Sequence, residues 1–441
     1  MRFISKKTDG YKIYAVTGIN TISFAIDSSD ADTKGLLGFA IERYDPEKDE
    51  RYFVKGFKVF EDVIPKPDAK TEVSTYDHPV QSFVWDDFTA KSDHEYTYYF
   101  YPIKGKPKKL NHSEKSIEIT VTTEPLFSKT DAHDVFFNRG VASSQAFTRR
   151  FGKTPLENIT DPEGKKKRLD WLSRDLEKAL LAFINQAKSG DTLLGCFYEF
   201  RYQPVADAFK TAMENGVQVK IVVDAKMNES TDADGTFHES FPREDNFRII
   251  KEAKIPASAI IKREANPDKI QHNKFIVLLK GQSQKPAAVW TGSTNLSQGG
   301  IFGQTNVGHW VRDEKTAQKF KEYWDVISKD PGAKEKDTTS EKTKKNSLFK
   351  KEVQSIQKDI EDGSNIPDGV IPIFSPRKGL TMLNTYAQIL DNANNYSAIT
   401  LAFGINDVFK NLLKDNTDKD QITFMLLEKP DKPNPKSKKQ F

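Results

Sequence analysis

The stretch Gln271–Asn295 holds the side chains whose types and spacing best suit phosphate chemistry. It contains two clusters: His272-x-Lys274 stands before the apolar run Phe275–Leu279, and Gly292-Ser293-x-Asn295 follows the run Ala287–Thr291. An imidazole can attack phosphorus, an ammonium group supplies positive charge, and a carboxamide donates a hydrogen bond. The sequence therefore predicts a phosphate site at the ends of two neighbouring strands.

This pattern resembles that of the phospholipase D superfamily, in which His-x-Lys is followed after four residues by Asp and later by Gly-Ser-x-Asn. The resemblance covers about Leu169–Leu427, with its specific motif inside Gln271–Asn295. Two positions depart from the family pattern. Leu279 stands where the pattern has Asp, and Asn306-Val307-Gly308 aligns with a downstream Asn-x-Glu, so that the glutamate is missing.

The resemblance implies a reaction in which one motif histidine attacks the phosphodiester to give a phosphohistidine and a second histidine protonates the leaving alcohol. Neither a metal nor another cofactor is expected. His272 would fill one histidine role, Lys274 and Asn295 would bind phosphate, Ser293 would orient its neighbours, and Gly292 would border the substrate. The substrate would be a phosphodiester, either a phospholipid or a nucleic acid.

Two further side chains are candidates for substrate binding, each with a simpler alternative. Glu199 follows the apolar segment Thr192–Phe197 and would orient His272, or it is an ordinary surface carboxylate. Arg377, in the turn Ser375-Pro376-Arg377, would pair with a phosphate near the mouth of the site, or it is a surface arginine.

The sequence contains no second His-x-Lys. Either two chains pair so that His272 of each faces the other, as in one-motif nucleases of the superfamily, or a second motif-bearing region or polypeptide completes the site. The partial second repeat described below favours the latter. An inactive phosphate-binding scaffold is the alternative from another functional class.

Composition excludes few classes of function. The chain has 441 residues, 67 basic and 63 acidic side chains and a net charge of +4, which does not select nucleic acid over other substrates. No apolar run approaches the ~20 residues of a membrane span, and no apolar segment typical of a secretory signal follows the N-terminus. A cytoplasmic location is the resulting expectation, and the single cysteine, Cys196, is expected to be a buried thiol.

The order of predicted elements indicates an α/β protein with phospholipase D-like α/β/α repeats and a mixed sheet, preceded by an all-β sandwich. We predict the sandwich, of immunoglobulin or fibronectin type, over residues 1–123, and a connection over 124–168. A first repeat carrying the motif spans 169–328, beginning with a helix from Leu169 to Gly190. A charged linker, or the polar start of a surface helix, spans 329–369. A partial second repeat without its motif spans 370–441, with strands at Ile371–Ser375, Ser397–Phe403 and Gln421–Leu427.

Overall fold

The computed structural model describes residues 1–68, 70–142, 144–266, 269–402, 404–414 and 421–427. The chain divides into two compact units, Met1–Asp134 with Arg139–Asp175, and Val135–Asn138 with Leu176–Phe441. Within the described ranges, no helix is long and apolar enough to cross a membrane.

The first unit contains two larger antiparallel sheets and a two-stranded antiparallel ribbon of β6 and β7, and the predicted N-terminal β-sandwich is confirmed. One sheet has the order β1-β2-β3-β8, and the other has the order β10-β9-β4-β5, with β11 also paired to β9. The strands are β1 Arg2–Ile4, β2 Lys12–Thr17, β3 Ile22–Asp27, β4 Leu36–Asp45, β5 Glu50–Phe53, β6 Lys55–Gly56, β7 Val73–Ser74, β8 Val84–Asp87, β9 Glu95–Lys106, β10 Lys109–Asn111 and β11 Ile117–Thr122. The assignment to the immunoglobulin or fibronectin type stays a prediction.

Alternating side chains of both sheets fill one shared core, which is why the strands show a period of two. Phe24 of β3, Phe39 of β4 and Tyr98 and Phe100 of β9 are buried there together. The arrangement explains the run of aromatic residues in β9, whose even-numbered members point inward.

Two helices, α1 Gln145–Phe151 and α2 Pro162–Ser173, belong to the same unit. The single helix predicted from Leu169 to Gly190 is in fact two helices, because the chain breaks at Arg174, which has a φ of 55°. The Arg174 guanidinium donates a 2.7 Å hydrogen bond to the carbonyl of Asn20 in the sandwich, and this contact accompanies the break. The next helix, α3, begins at Leu176.

The second unit is built on a seven-stranded sheet with the order β12-β20-β19-β18-β13-β14-β17. Strands β13, β14 and β17 are parallel to one another, whereas β13, β18, β19 and β20 pair antiparallel, so the predicted mixed sheet is confirmed. The strands of this part of the chain, including the two-stranded ribbon of β15 and β16, are β12 His133–Phe137, β13 Thr192–Phe197, β14 Gln218–Asp224, β15 Ser230–Thr231, β16 Phe237–His238, β17 Ile260–Arg263, β18 Lys274–Lys280, β19 Lys285–Gly292 and β20 Val307–Val311.

Helices cover both faces of this sheet, which explains why β13 and β18 read as continuous apolar runs rather than alternating ones. They are α3 Leu176–Asn185, α4 Gln203–Glu214, α5 Arg243–Glu252, α6 Glu314–Ile327 and α7 Thr339–Ile356. On one face Phe209 of α4 packs on Phe197 of β13. On the other face Trp324 of α6 donates a 2.8 Å hydrogen bond from its indole to the carbonyl of Gly195.

Helix α7 lies within residues 329–369, for which the sequence left open a charged linker or the polar start of a surface helix. A capping box formed by Thr338 and Glu341 starts the helix. Its Phe349, Val353 and Ile356 recur at helical spacing and are buried in the same core as β13 and β18. The stretch therefore packs against the sheet, and most of its lysines lie on the exposed side of the helix.

The C-terminal part contains α8 Thr381–Asp391, β21 Tyr396–Leu401, α9 Asp407–Leu413 and β22 Ile422–Leu427. Strands β21 and β22 pair in parallel with α9 between them, as β13 and β14 do with α4 between them. Residues 371–375, predicted as a strand, form none, since this segment carries Phe374 into the core against α6. Residues 415–420 and 428–441 lie outside the described residues.

Candidate active site

The start of β18 and the end of β19 meet at one edge of the seven-stranded sheet. The two strands run antiparallel with Ile276 opposite Trp290, so the residues before β18 and after β19 emerge on the same side. The end of β13 lies there too, because Phe197 pairs with Lys274. The sheet topology thus gathers both motif clusters and the segment after β13.

His272 and Lys274 are held together with the ring of Tyr198. The Lys274 ammonium donates a 2.9 Å hydrogen bond to the carbonyl of His272 and lies 5.8 Å from the centre of the Tyr198 ring. The His272 ring meets the same tyrosine at 5.2 Å in an edge-on arrangement. The sequence motifs did not identify Tyr198 as a site residue, although it stands directly after a buried strand, as residues of this edge do.

Burial changes the acid–base behaviour of both motif residues. It lowers the pKa of Lys274 from 10.5 to about 8, against the opposing effect of the Glu199 charge. It also lowers the pKa of His272 below 6.5, with Lys274 adding to this effect and Glu199 again opposing it. At neutral pH the site therefore presents a neutral imidazole beside an ammonium group.

Asn295 and Glu199 form a buried pair at the same edge. The Asn295 carboxamide donates a 2.9 Å hydrogen bond from Nδ2 to the Glu199 carboxylate. The other carboxylate oxygen accepts 2.9 Å from Nε of Arg201, which in turn lies 3.5 Å from Asp245. Glu199 is only 8% exposed, so it is an interior carboxylate rather than a surface one.

The loop after β19 is fixed by Ser293 and Asn306. The Ser293 hydroxyl donates to the Asn306 carboxamide oxygen at 2.8 Å and accepts from the amide of Val307 at 3.0 Å. Gly292 has a φ of 140°, and a Cβ atom there would lie 2.2 Å from the Val307 carbonyl oxygen. Glycine is therefore required at 292, and Ser293 orients the loop that carries Asn295.

The two departures from the family pattern have local packing reasons. Leu279 pairs with Thr192 in the sheet, is 3% exposed and belongs to the apolar core. At position 308, a Cβ atom would lie 2.3 Å from the Trp290 ring, so no glutamate fits there. The carboxylate that contacts Asn295 comes instead from Glu199, after a different strand.

The Arg377 guanidinium is hydrogen-bonded to neighbouring groups of the chain. Its Nε donates to Asp359 at 2.5 Å, and its two terminal nitrogens donate to the carbonyls of Phe374 at 3.1 Å and Gln357 at 2.5 Å. A role for Arg377 in phosphate binding stays a prediction that requires these contacts to be exchanged for the substrate.

Two other titratable side chains are not members of the motif clusters. His238, in the ribbon of β15 and β16, is exposed and lies 2.7 Å from Asp232. Cys196 is fully buried, and burial raises the pKa of its thiol. Over the described ranges, no group of three or more His, Cys, Asp or Glu side chains could hold a metal ion.

Comparisons with known proteins agree with the motif. Residues 180–327 match the family model described as "Cardiolipin synthase, PLD-like domain". A comparison with curated proteins found no match.

Among solved structures, the phospholipase D family member Nuc from Salmonella typhimurium is 20% identical over 45% of this chain and 94% of its own, with a TM-score of 0.27. NucT from Helicobacter pylori is 16% identical over 36% of this chain and 90% of its own, with a TM-score of 0.26. Phosphatidylserine synthase from Haemophilus influenzae Rd KW20 is 9% identical over 58% of this chain and 60% of its own, with a TM-score of 0.37.

The family-model match runs from within α3 to the end of α6 and therefore includes the sheet edge that carries His272, Lys274 and Asn295. Residues 180–327 of this chain are a phospholipase D-like domain.

Proposed function

We propose that this chain is a phospholipase D-like phosphodiesterase that works through a phosphohistidine intermediate, with the second catalytic histidine supplied from outside the chain. The observation that carries the proposal is the gathering of His272, Lys274 and Asn295 at one sheet edge. The neutral imidazole and the neighbouring ammonium are the two groups that an attack on a phosphodiester needs.

In the proposed reaction, one histidine nitrogen forms a bond to phosphorus while the bond to the leaving alkoxide breaks. The second histidine gives its proton to that alkoxide. The same residue then takes a proton from water, whose oxygen attacks phosphorus and releases the first histidine. Either histidine role is open to His272.

The neighbouring side chains have supporting roles in this scheme. The Lys274 ammonium would stabilise the negative oxygens of the phosphoryl group. The Asn295 amide has two N–H donors, and only one is used by Glu199, so the other remains for the substrate. Glu199 would thus hold Asn295 in place, and Ser293 would hold the loop.

The source of the second histidine has two candidates. The segment α8-β21-α9-β22 repeats the order α3-β13-α4-β14, and both strand pairs are parallel. This likeness supports a second repeat that receives its histidine motif from another region or polypeptide. A homodimer in which two copies of His272 face each other is the alternative.

Hydrolysis of bis(p-nitrophenyl) phosphate by the full chain, in EDTA, tests the proposal. We expect nitrophenol release from the assembly that contains the second histidine. His272→Asn should abolish this release and His112→Asn should retain it, because His112 stacks on Tyr76 in the first unit. The assay is run on the chain alone and with a candidate partner polypeptide. Absence of release in every assembly, with phosphate binding retained, would instead support a phosphate-binding scaffold.

A further inference from the structure

A cavity of about 360 Å³ lies beside the motif in the second unit, and His272 is part of its wall. Its volume falls in the range of small-molecule sites. The rest of the wall comes from Lys226 after β14, from Arg263 of β17 and the loop that follows it, from α6 and α7 and from the turn at Ser375.

Basic residues dominate the charged part of the wall. Lys226, Arg263, Lys269 and Lys350 line the cavity, and no described lining residue is acidic. Lys226 lies 3.3 Å from Asp224, and Arg263 pairs with Asp330. Lys269 and Lys350 have no ion pair with any described residue, so among the described residues their positive charges are not compensated.

Arg263 adds a buried donor to this wall. Its residue is 2% exposed, and its Nε–H has no hydrogen-bond partner among the described residues. Burial of an unsatisfied donor on a charged group is costly. Nε is closed to solvent in this structure, so an anion in the cavity would supply it with an acceptor only after the Arg263 side chain turns toward the cavity.

Two carboxamides provide further donors. The side-chain oxygens of Asn266 and Asn346 both accept from the amide of Ala333, at 3.0 and 2.9 Å, which fixes which end of each carboxamide is the acceptor. Their NH₂ groups make no hydrogen bond within the described part of the chain. The wall therefore has an excess of donors, which suits the several acceptor oxygens of a phosphate group.

We propose that this cavity is a second phosphate subsite, which holds the phosphate of a nucleotide next to the one cleaved at His272. The subsite favours a single nucleic acid strand, since a strand carries a phosphate at every nucleotide. A phospholipid with one phosphodiester has no second phosphate to place there. Apolar side chains also line the cavity, among them Ile270, Ile327 and Phe349, and a nucleotide would place its sugar and base against them. The proposal rests on the proposed function for the site of cleavage, but binding in the cavity does not depend on turnover.

Binding of a fluorescent oligothymidylate to the full chain, measured by anisotropy over a range of salt concentrations, tests the subsite. The measurement uses a His272→Asn background so that no strand is cut. In the double variant Lys269→Gln/Lys350→Gln we expect roughly 10-fold weaker binding at 0.1 M salt and a salt slope reduced by about 0.7 for each lysine removed. The matched control is Lys344→Gln/Lys351→Gln, which removes two exposed lysines of α7 that do not line the cavity.

The affinity of the control variant for oligothymidylate should fall by no more than about a factor of two, through long-range electrostatics alone. Equal losses in the two double variants would overturn the subsite. The same variants are also tested for binding to vesicles of phosphatidylglycerol. If Lys269→Gln/Lys350→Gln weakened vesicle binding and left oligothymidylate binding unchanged, a nucleic acid strand would be overturned as the ligand. Because no step requires cleavage, a failure of the nitrophenyl phosphate assay leaves this result interpretable.

Discussion

The carboxylate of Glu199 accepts a 2.9 Å hydrogen bond from the carboxamide of Asn295, linking the end of β13 to the loop after β19. Position 308, where the family pattern has a glutamate, lies against Trp290 and leaves no room for a side chain. The carboxylate that contacts Asn295 therefore comes from Glu199, in the segment that follows β13. Its charge also acts on both His272 and Lys274.

The charge of Lys274 predicts how phosphate binding depends on pH. Because burial lowers its pKa to about 8, the ammonium is charged below that pH and loses its proton as the pH rises through it. Dimethyl phosphate, whose charge is constant over this range, should bind more weakly above pH 8, by up to ~10-fold per pH unit. An NMR titration at several pH values measures this, and a Lys274→Gln variant should bind weakly at every pH. Unchanged affinity from pH 7 to pH 9.5 would contradict the assignment.

Replacing Glu199 tests its electrostatic role. Glu199 raises the pKa of Lys274 against the larger lowering by burial, so Glu199→Gln should move the midpoint of that pH dependence to lower pH. Glutamine retains an oxygen that can accept from Asn295, which separates the charge from the hydrogen bond. The control is Asp207→Asn on α4, whose carboxylate accepts from Gln203, and it should leave the midpoint in place. Equal midpoints in all three proteins would exclude the electrostatic role.

Tyr198 should matter through its ring rather than its hydroxyl group. The ring lies against both His272 and the Lys274 ammonium, and a cation–π contact of this kind contributes ~0.5–1 kcal/mol. Tyr198→Leu is expected to weaken dimethyl phosphate binding by ~2- to 5-fold, whereas Tyr198→Phe retains it. If phenylalanine were as damaging as leucine, the hydroxyl group would be the important part instead.

Restoring the family aspartate at position 279 should harm the protein. Leu279 is in the apolar core, where an unpaired carboxylate would be buried. Leu279→Asp is expected to lower the free energy of unfolding by more than ~4 kcal/mol, and the volume-conserving Leu279→Met by less than ~1.5 kcal/mol. Urea unfolding followed by tryptophan fluorescence compares the two. Similar midpoints for both variants would show that the position tolerates charge.

Local sequence patterns were sufficient to predict much of this arrangement. The apolar runs of β18 and β19 placed His272 and Asn295 at strand ends, and their antiparallel pairing brought these residues to one edge. Alternation in the N-terminal region likewise predicted the sandwich. These features depend on neighbours in sequence, which a pattern records directly.

What the sequence did not predict depends on distant partners. The many lysines of α7 gave no sign that one side of the helix would be buried. Its apolar residues Phe349, Val353 and Ile356 are buried only because the sheet lies beneath them. Arg377 was expected near phosphate, but its choice of Asp359 as partner is a tertiary contact that no local spacing encodes. The role of Tyr198 also follows only from the pairing of β13 with β18.

We propose that this chain carries one half of a catalytic site. The most direct test is the specific activity of the full chain toward bis(p-nitrophenyl) phosphate over a range of protein concentrations, with sedimentation of the same samples. We expect no turnover by the monomer, and turnover that appears only with a dimer or with an added polypeptide bearing a second histidine motif. Constant specific activity in a monomer at every concentration would contradict it.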